Sequence, residues 1–234
     1  PATATTPQSD PTARGMLIAP SNDTYPRNGE GSIVRDGGRL HYFFARFSKN
    51  ADVGASVIVR KSSTDNGESW DAEAEQITPA DGKGRANVGA VALGPGHILL
   101  SYFVGVNHSS AFRVYRHTHD GGATWDPERP LTDGSYSYMT GAHDRLRRLS
   151  NGRLIITLHA REEDPEACPG VPDIHPVPCL CTLIFFSDDQ GETWQRSPRP
   201  LRRRRAHRGR RPRMHHRQQQ RRRRQQRTRR RRPS

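Results

Sequence analysis

No stretch of this 234-residue chain spaces its apolar residues at helical intervals, and no apolar run is long enough to span a bilayer. A helical fold and a membrane-spanning helix are both disfavoured on that ground. The opening, from Pro1 to about Asn22, lacks the basic n-region and apolar h-region of a secretory signal. It is polar, with Thr, Pro and Ala, and reads as a flexible leader over residues 1–22. The first residue is not Met, so a leader removed or omitted upstream stays open. Cysteine is scarce: Cys168, Cys179 and Cys181 are the 3 present, and their spacing lacks a paired C-x2-C, so zinc is not expected. Free thiols at a loop remain open, as does a disulfide from Cys168 to Cys179 or Cys181 in an exported protein. No metal and no cofactor is expected.

Acid is missing from one region altogether. Residues 201–234 hold 18 Arg and no Asp or Glu. Taking those 18 from the 38 Lys and Arg leaves 20 against 24 acids, so residues 1–200 carry −4 within a chain that carries +14. The basic charge describes only the tail. With one Leu and one Met among Arg, Gln, Pro and His, residues 201–234 cannot bury enough apolar surface to offset ordering, and disorder is expected there. Three origins stay open: a nucleic-acid arm that neutralises phosphates, a solvated extension, or out-of-frame translation of GC-rich DNA.

Against these absences stands a pattern present in three copies. Ser63 to Trp70, Thr118 to Trp125 and Ser187 to Trp194 each read [Ser/Thr]-x-Asp-x-Gly-x-[Ser/Thr]-Trp. The Asp accepts hydrogen bonds from turn amides, the Gly supplies positive φ, and the Trp buries a large ring beside the turn. A second landmark, ending at Gly38, Gly96 and Gly152, recurs after 58 and 56 residues. Short runs rich in Val, Ile, Tyr and Phe surround both landmarks and read as strands: 32–35, 40–47 and 56–60 in the first copy. With a fourth strand after each Trp, the unit is a four-stranded antiparallel sheet, one blade of a β-propeller.

From about Tyr25 to Trp194 the chain resembles the sialidase (neuraminidase) superfamily, whose Asp-box repeats sit on a six-bladed β-propeller. The likeness rests on the three Asp boxes, on Tyr25-Pro26-Arg27-Asn28-Gly29-Glu30-Gly31-Ser32-Ile33-Val34, on Ala45-Arg46-Phe47, on Asp52-Val53-Gly54 and on Arg60-Lys61-Ser62-Ser63. It implies an all-β, sialidase-like propeller over residues 23–200, with about three of six blades present before the tail. It further implies an exo-α-sialidase-like glycoside hydrolase that removes terminal sialic acid, or a related acidic sugar, from glycoconjugates. A secreted or periplasmic site is weakly implied as well.

Strand order decides which residues face a site. With the strands of a blade named A to D, the start of A and the B–C loop share one rim, and the A–B and C–D turns share the other. The Asp boxes, with Asp65, Asp120 and Asp189, are therefore expected to be structural, and Arg39 and Arg153 to be solvated on the same rim. The opposite rim of the first repeat holds Arg27, Glu30, Arg46 and Asp52. A guanidinium fork pairs bidentately with a carboxylate, and glycoside cleavage needs an acid near the leaving oxygen. By the resemblance, Arg27 matches the first arginine of the carboxylate-binding triad, Arg46 the arginine following the second strand, and Asp52 the general acid/base. Salt-bridged surface arginines and a loop turn former are the alternatives at these positions. In later repeats Arg85, Asn87, His143, Asp144 and Arg145 take corresponding positions. Asn87 and Asp144 are candidates for substrate hydroxyls or the acyl-amino group, or else are turn residues at strand entry.

The family's nucleophilic Tyr, its partner Glu and two further arginines have no counterparts in these three repeats, so no turnover is expected of this chain. Two other functions stay open. One is a non-catalytic Asp-box propeller that binds glycans or proteins; the other is nucleic-acid binding through the Arg-rich tail.

Overall fold

A computed structural model describes residues 15–51, 54–107, 110–134, 136, 138–161 and 180–198. The tail, the leader up to residue 14, Asp52, Cys168 and Cys179 lie outside the described residues. Every regular element described is a strand. The first sheet runs β1 (Arg27–Asp36), β2 (Arg39–Phe47), β3 (Ser56–Ser63), β4 (Glu75–Gln76), paired in that order. The second repeats the order with β5 (Gly84–Gly94), β6 (His97–Asn107), β7 (Ser110–Thr118) and β8 (Arg129–Pro130). In the third, β10 (Leu146–Arg148), β11 (Leu154–Arg161), β12 (Leu180–Ser187) and β13 (Gln195–Arg196) follow suit, and β9 (Met139–Thr140) also pairs with β11. All pairings between these strands are antiparallel, so the three repeats are three propeller blades. The strand that the sequence places at 146–149 in the third repeat is thus a broken one, β9 plus β10. The innermost strands stand side by side, β1 against β5 and β5 against β10.

Alternation along each strand builds the cores between blades. Phe43, Phe47 and Ile58 of the first blade meet Val88, Leu100 and Val104 of the second. On the next seam, Leu99 and Tyr115 meet Met139, Leu154, Ile156 and Phe185. Phe44, Val57 and Val59 point to the opposite side of the first blade, where Ala19 and Ala74 cover them.

The Asp boxes close the β3–β4, β7–β8 and β12–β13 turns in one geometry. In each, the Asp takes the backbone N–H and hydroxyl of the later Ser or Thr: Asp65 from Ser69, Asp120 from Thr124, Asp189 from Thr193. These bonds, hydroxyl first, hold the Asp65 and Asp120 carboxyls well below the usual range. Two consecutive residues take positive φ: Asn66–Gly67, Gly121–Gly122 and Gln190–Gly191. The box also stitches one blade to the one before it. Trp125 packs edge-on against Phe43 at 5.8 Å, and Trp194 sits 6.1 Å from Tyr115. Arg60 Nη1 donates to Gly121 O at 2.7 Å, and Tyr115 Oη to Glu192 O at 2.9 Å. Gly121 N in turn donates to Gly96 O, so box and β5–β6 turn share a rim as the strand order requires. On that rim Arg39 is exposed, whereas Arg153 is ion-paired with Asp188 at 2.7 Å.

Candidate functional site

The opposite rim is shaped by one backbone device used three times. Glu30, Asn87 and Asp144 all take left-handed φ, of 58°, 56° and 55°, and they fall 57 residues apart. At the first two, the ladder slips by a residue, between Gly29 and Ser32 and between Ala86 and Gly89. At the third the slip has grown into the gap between β9 and β10. A bulge re-aims side chains at the end of a strand. Asn and Asp tolerate this backbone, but Glu does so only at a cost of about 1–2 kcal/mol, so something must hold Glu30 there.

Two contacts do. Arg27 Nη2 donates to Glu30 Oε1 at 2.5 Å, and Asn87 N donates to Glu30 Oε2 at 3.3 Å. Arg27 also lies 4.5 Å over the Phe47 ring. Arg27, Glu30 and Asn87 therefore meet at the seam between the first two blades. Asp144 ties all three innermost strands together: Ser32 Oγ donates to its Oδ1 at 2.6 Å, Ala90 N donates to Ser32 Oγ at 3.1 Å, and Asp144 N donates to Val88 O at 2.8 Å. Arg147 forks onto the Asp144 carboxylate at 2.9 and 2.6 Å, which, with Ser32, keeps it below its usual range despite partial burial. A cavity of about 520 Å³ lies beside β1 and the segment 143–147, lined by Ser32, Tyr42, His143, Asp144, Arg145 and Arg147.

Arg46 is not brought to this cluster. Its register partner is Asn28, while Arg27 pairs with Phe47, so the two arginines sit on opposite faces of the first sheet. Arg46 stacks 4.6 Å over Tyr25, and its Nε donates to Asn28 Oδ1 at 3.3 Å. Asp52 belongs to the β2–β3 loop and lies outside the described residues.

Arg85, a rim candidate from the sequence, turns inward and is 1% exposed. Its guanidinium bonds Asp81 at 2.6 Å and Glu128 at 2.9 Å, and Tyr102 Oη donates to the same Glu128 oxygen at 2.7 Å. Burial, then Glu128, push the Tyr102 phenol far above its usual range. This Tyr–Glu pair is therefore a buried structural brace rather than a poised nucleophile. The sequence carries no signal for it, because its members come from three separate segments. Among the described residues no group of three or more His, Cys, Asp or Glu side chains could hold a metal ion.

No family model matches the chain, and no curated protein matches its sequence. Solved structures do match. A Hadza microbial sialidase superposes with a TM-score of 0.59 at 17% identity, over 74% of this chain and 38% of that one. A Trypanosoma rangeli sialidase in complex with sialic acid gives 0.53 at 14% identity, over 73% and 30%. A leech intramolecular trans-sialidase gives 0.57 at 10% identity, over 81% and 46%. The chain thus spans less than half the length of these neighbours, and at such identities the likeness is one of fold. The described residues form part of a sialidase-like β-propeller.

Proposed function

We propose that this chain carries the acid-bearing and carboxylate-recognising part of an exo-α-sialidase-like glycoside hydrolase acting on terminal sialic acid of glycoconjugates. The observation that carries it is Arg27, held at the rim of the first blade by a Glu30 in left-handed backbone, within a fold shared with sialidases. A planar guanidinium at a propeller rim has the geometry for bidentate pairing with a carboxylate, here that of the sugar. Asp52, on the adjoining β2–β3 loop, is assigned to protonate the leaving glycosidic oxygen, and Asn87 and Asp144 to line the same rim toward hydroxyl or acyl-amino groups. Arg46 stands at this rim on the far face of the sheet. In the sialidase scheme a Tyr takes the anomeric carbon, an exception to the two-carboxylate pattern. Tyr102 is too buried for that role, and the chain alone is assigned binding without turnover.

Calorimetric titration of the 234-residue chain with N-acetylneuraminic acid tests this. Arg27→Met removes a charge-assisted pair worth about 1.5–3 kcal/mol, so Kd rises about tenfold or more. Asp52→Asn leaves affinity nearly unchanged, because the acid acts on the leaving group. Equal affinity in wild type and Arg27→Met refutes the assignment.

A further inference from the structure

The face to which Arg46 turns has a cavity of its own, about 240 Å³, bounded by Tyr25, Arg46, Ser48, Val57, Gln76 and Lys83. Among the described residues no carboxylate lines it. Arg46 is held from behind, by Asn28 at Nε and by the Tyr25 and Phe44 rings at 4.6 and 5.9 Å. Among the described residues its two terminal amino groups donate to nothing, so a fixed fork faces the open volume. Lys83 adds a second cation. Its nearest carboxylate, Asp81 at 3.6 Å, is already bound by Arg85 at 2.6 and 3.1 Å. The charge of Asp81 is thus shared with a closer partner, and the wall formed by the described residues stays positive. Tyr25, Val57 and the neighbouring Ala55 and Ala80 supply an apolar side, and Ser48 and Gln76 a polar one. Gln76 spends its NH2 on Thr78 O at 2.9 Å, which leaves its carbonyl oxygen to accept.

We propose that this lateral cavity is a subsite for the carboxylate of an acidic sugar unit, separate from the Arg27 cluster. Arg46 grips the carboxylate bidentately, Lys83 adds long-range attraction, and Gln76 and Ser48 meet hydroxyls. The volume lies below the roughly 300–1,000 Å³ of pockets that take drug-sized ligands, so it fits one such unit rather than a chain of them. That the carboxylate is carried by a sugar rests on the proposed function; that the ligand is a small carboxylate rests on the cavity alone.

The test is an NMR titration of the ¹⁵N-labelled chain with D-glucuronate, with D-glucose as the neutral control. Backbone amides of Val57 and Gln76 and the Gln76 side-chain amide report the cavity locally. Expected are saturable shifts at these three with glucuronate and none with glucose. Arg46→Met weakens the response at least about tenfold and Lys83→Met by severalfold, while Arg27→Met leaves it in place. Lys83 is half exposed, so Lys83→Met keeps the test valid even if Arg46→Met fails to fold. Absence of glucuronate shifts at these positions overturns the proposal, as does indifference to Lys83→Met or a loss shared equally by Arg27→Met. Failure of the sialidase assignment, seen at Arg27, leaves these local shifts untouched.

Discussion

The third residue of each positive-φ turn offers a graded experiment on how the blades are joined. Gly67, Gly122 and Gly191 have φ of 95°, 93° and 95°, so an Ala at any of them pays the same left-handed penalty, about 1–2 kcal/mol. What a methyl meets differs. At Gly67 the nearest atom is Leu40 Cδ1 at 3.6 Å, an ordinary contact. At Gly191 it is Leu99 Cδ2 of the preceding blade at 2.7 Å, with His117 Cε1 at 3.3 Å. At Gly122 it is Arg60 Nη1 at 1.9 Å, and that guanidinium is held by Gly121 O and Glu75. Overpacking adds about 1–3 kcal/mol at Gly191. At Gly122 the displaced Arg60 forfeits a charge-assisted bond of about 1.5–3 kcal/mol. Gly67→Ala is therefore expected to lose about 1–2 kcal/mol, and the other two about 2–5 kcal/mol. At roughly 2–4 °C per kcal/mol for a chain of this size, thermal melts by circular dichroism separate the two groups. Equal losses in all three variants would refute the claim that Asp boxes bind each blade to the one before it.

Two further outcomes follow from buried bases. Burial, then Arg60 and Arg39, lowers the His41 imidazole from 6.5 to about 4, and burial lowers His97 and His117, which share a 3.0 Å hydrogen bond with His119 stacked nearby and Glu192 and Asp126 facing them. The unfolded chain then binds more protons, so stability falls as pH drops from about 6.5 toward 4, above the window where the Asp-box carboxylates are lost; urea midpoints that stay flat from pH 7 to pH 5 would contradict this. Arg113 is fully buried with Ser101 as its hydrogen-bond partner, its Nη1 has no partner among the described residues, and burial alone pulls it down to about 9. Arg113→Met is expected to be neutral or to stabilise by up to a few kcal/mol, measured by urea unfolding, and a loss above about 3 kcal/mol would show a compensating anion.

Most of the fold was legible because the repeat marks its own turns. The Asp-box residues state which side chains meet the turn amides, and Gly67, Gly122 and Gly191 adopt the positive φ their type allows. The fourth strands were legible by position only. β4, β8 and β13 are two residues each and mostly exposed, with no apolar residue but Pro130, so they hold their places through pairing with β3, β7 and β12 rather than through any apolar pattern. The left-handed Gln190 was not legible, since its type gives no hint of that backbone.

The site was legible by rim and not by face, and a single residue accounts for the difference. The β1–β2 hairpin pairs Asp36 with Arg39 and keeps that register to Ser32 and Phe43. Continued without interruption, it would set Gly29 opposite Arg46 and put Arg27, two residues on, on the same face as Arg46. The two arginines would then share one face of the sheet. The bulge at Glu30 and Gly31 inserts one residue, Asn28 becomes the partner of Arg46, and Arg27 flips to the second-blade face. Glu is a poor candidate for left-handed backbone, so nothing at position 30 announces the slip. Its cause lies in contacts distant in sequence: the Asn87 amide of the next blade holds Glu30, and the Tyr42 ring crosses so close to Gly31 that a Cβ there would fall 2.3 Å from it. The tertiary packing that creates the Arg27 cluster is thus the same packing that frees Arg46 for its own cavity.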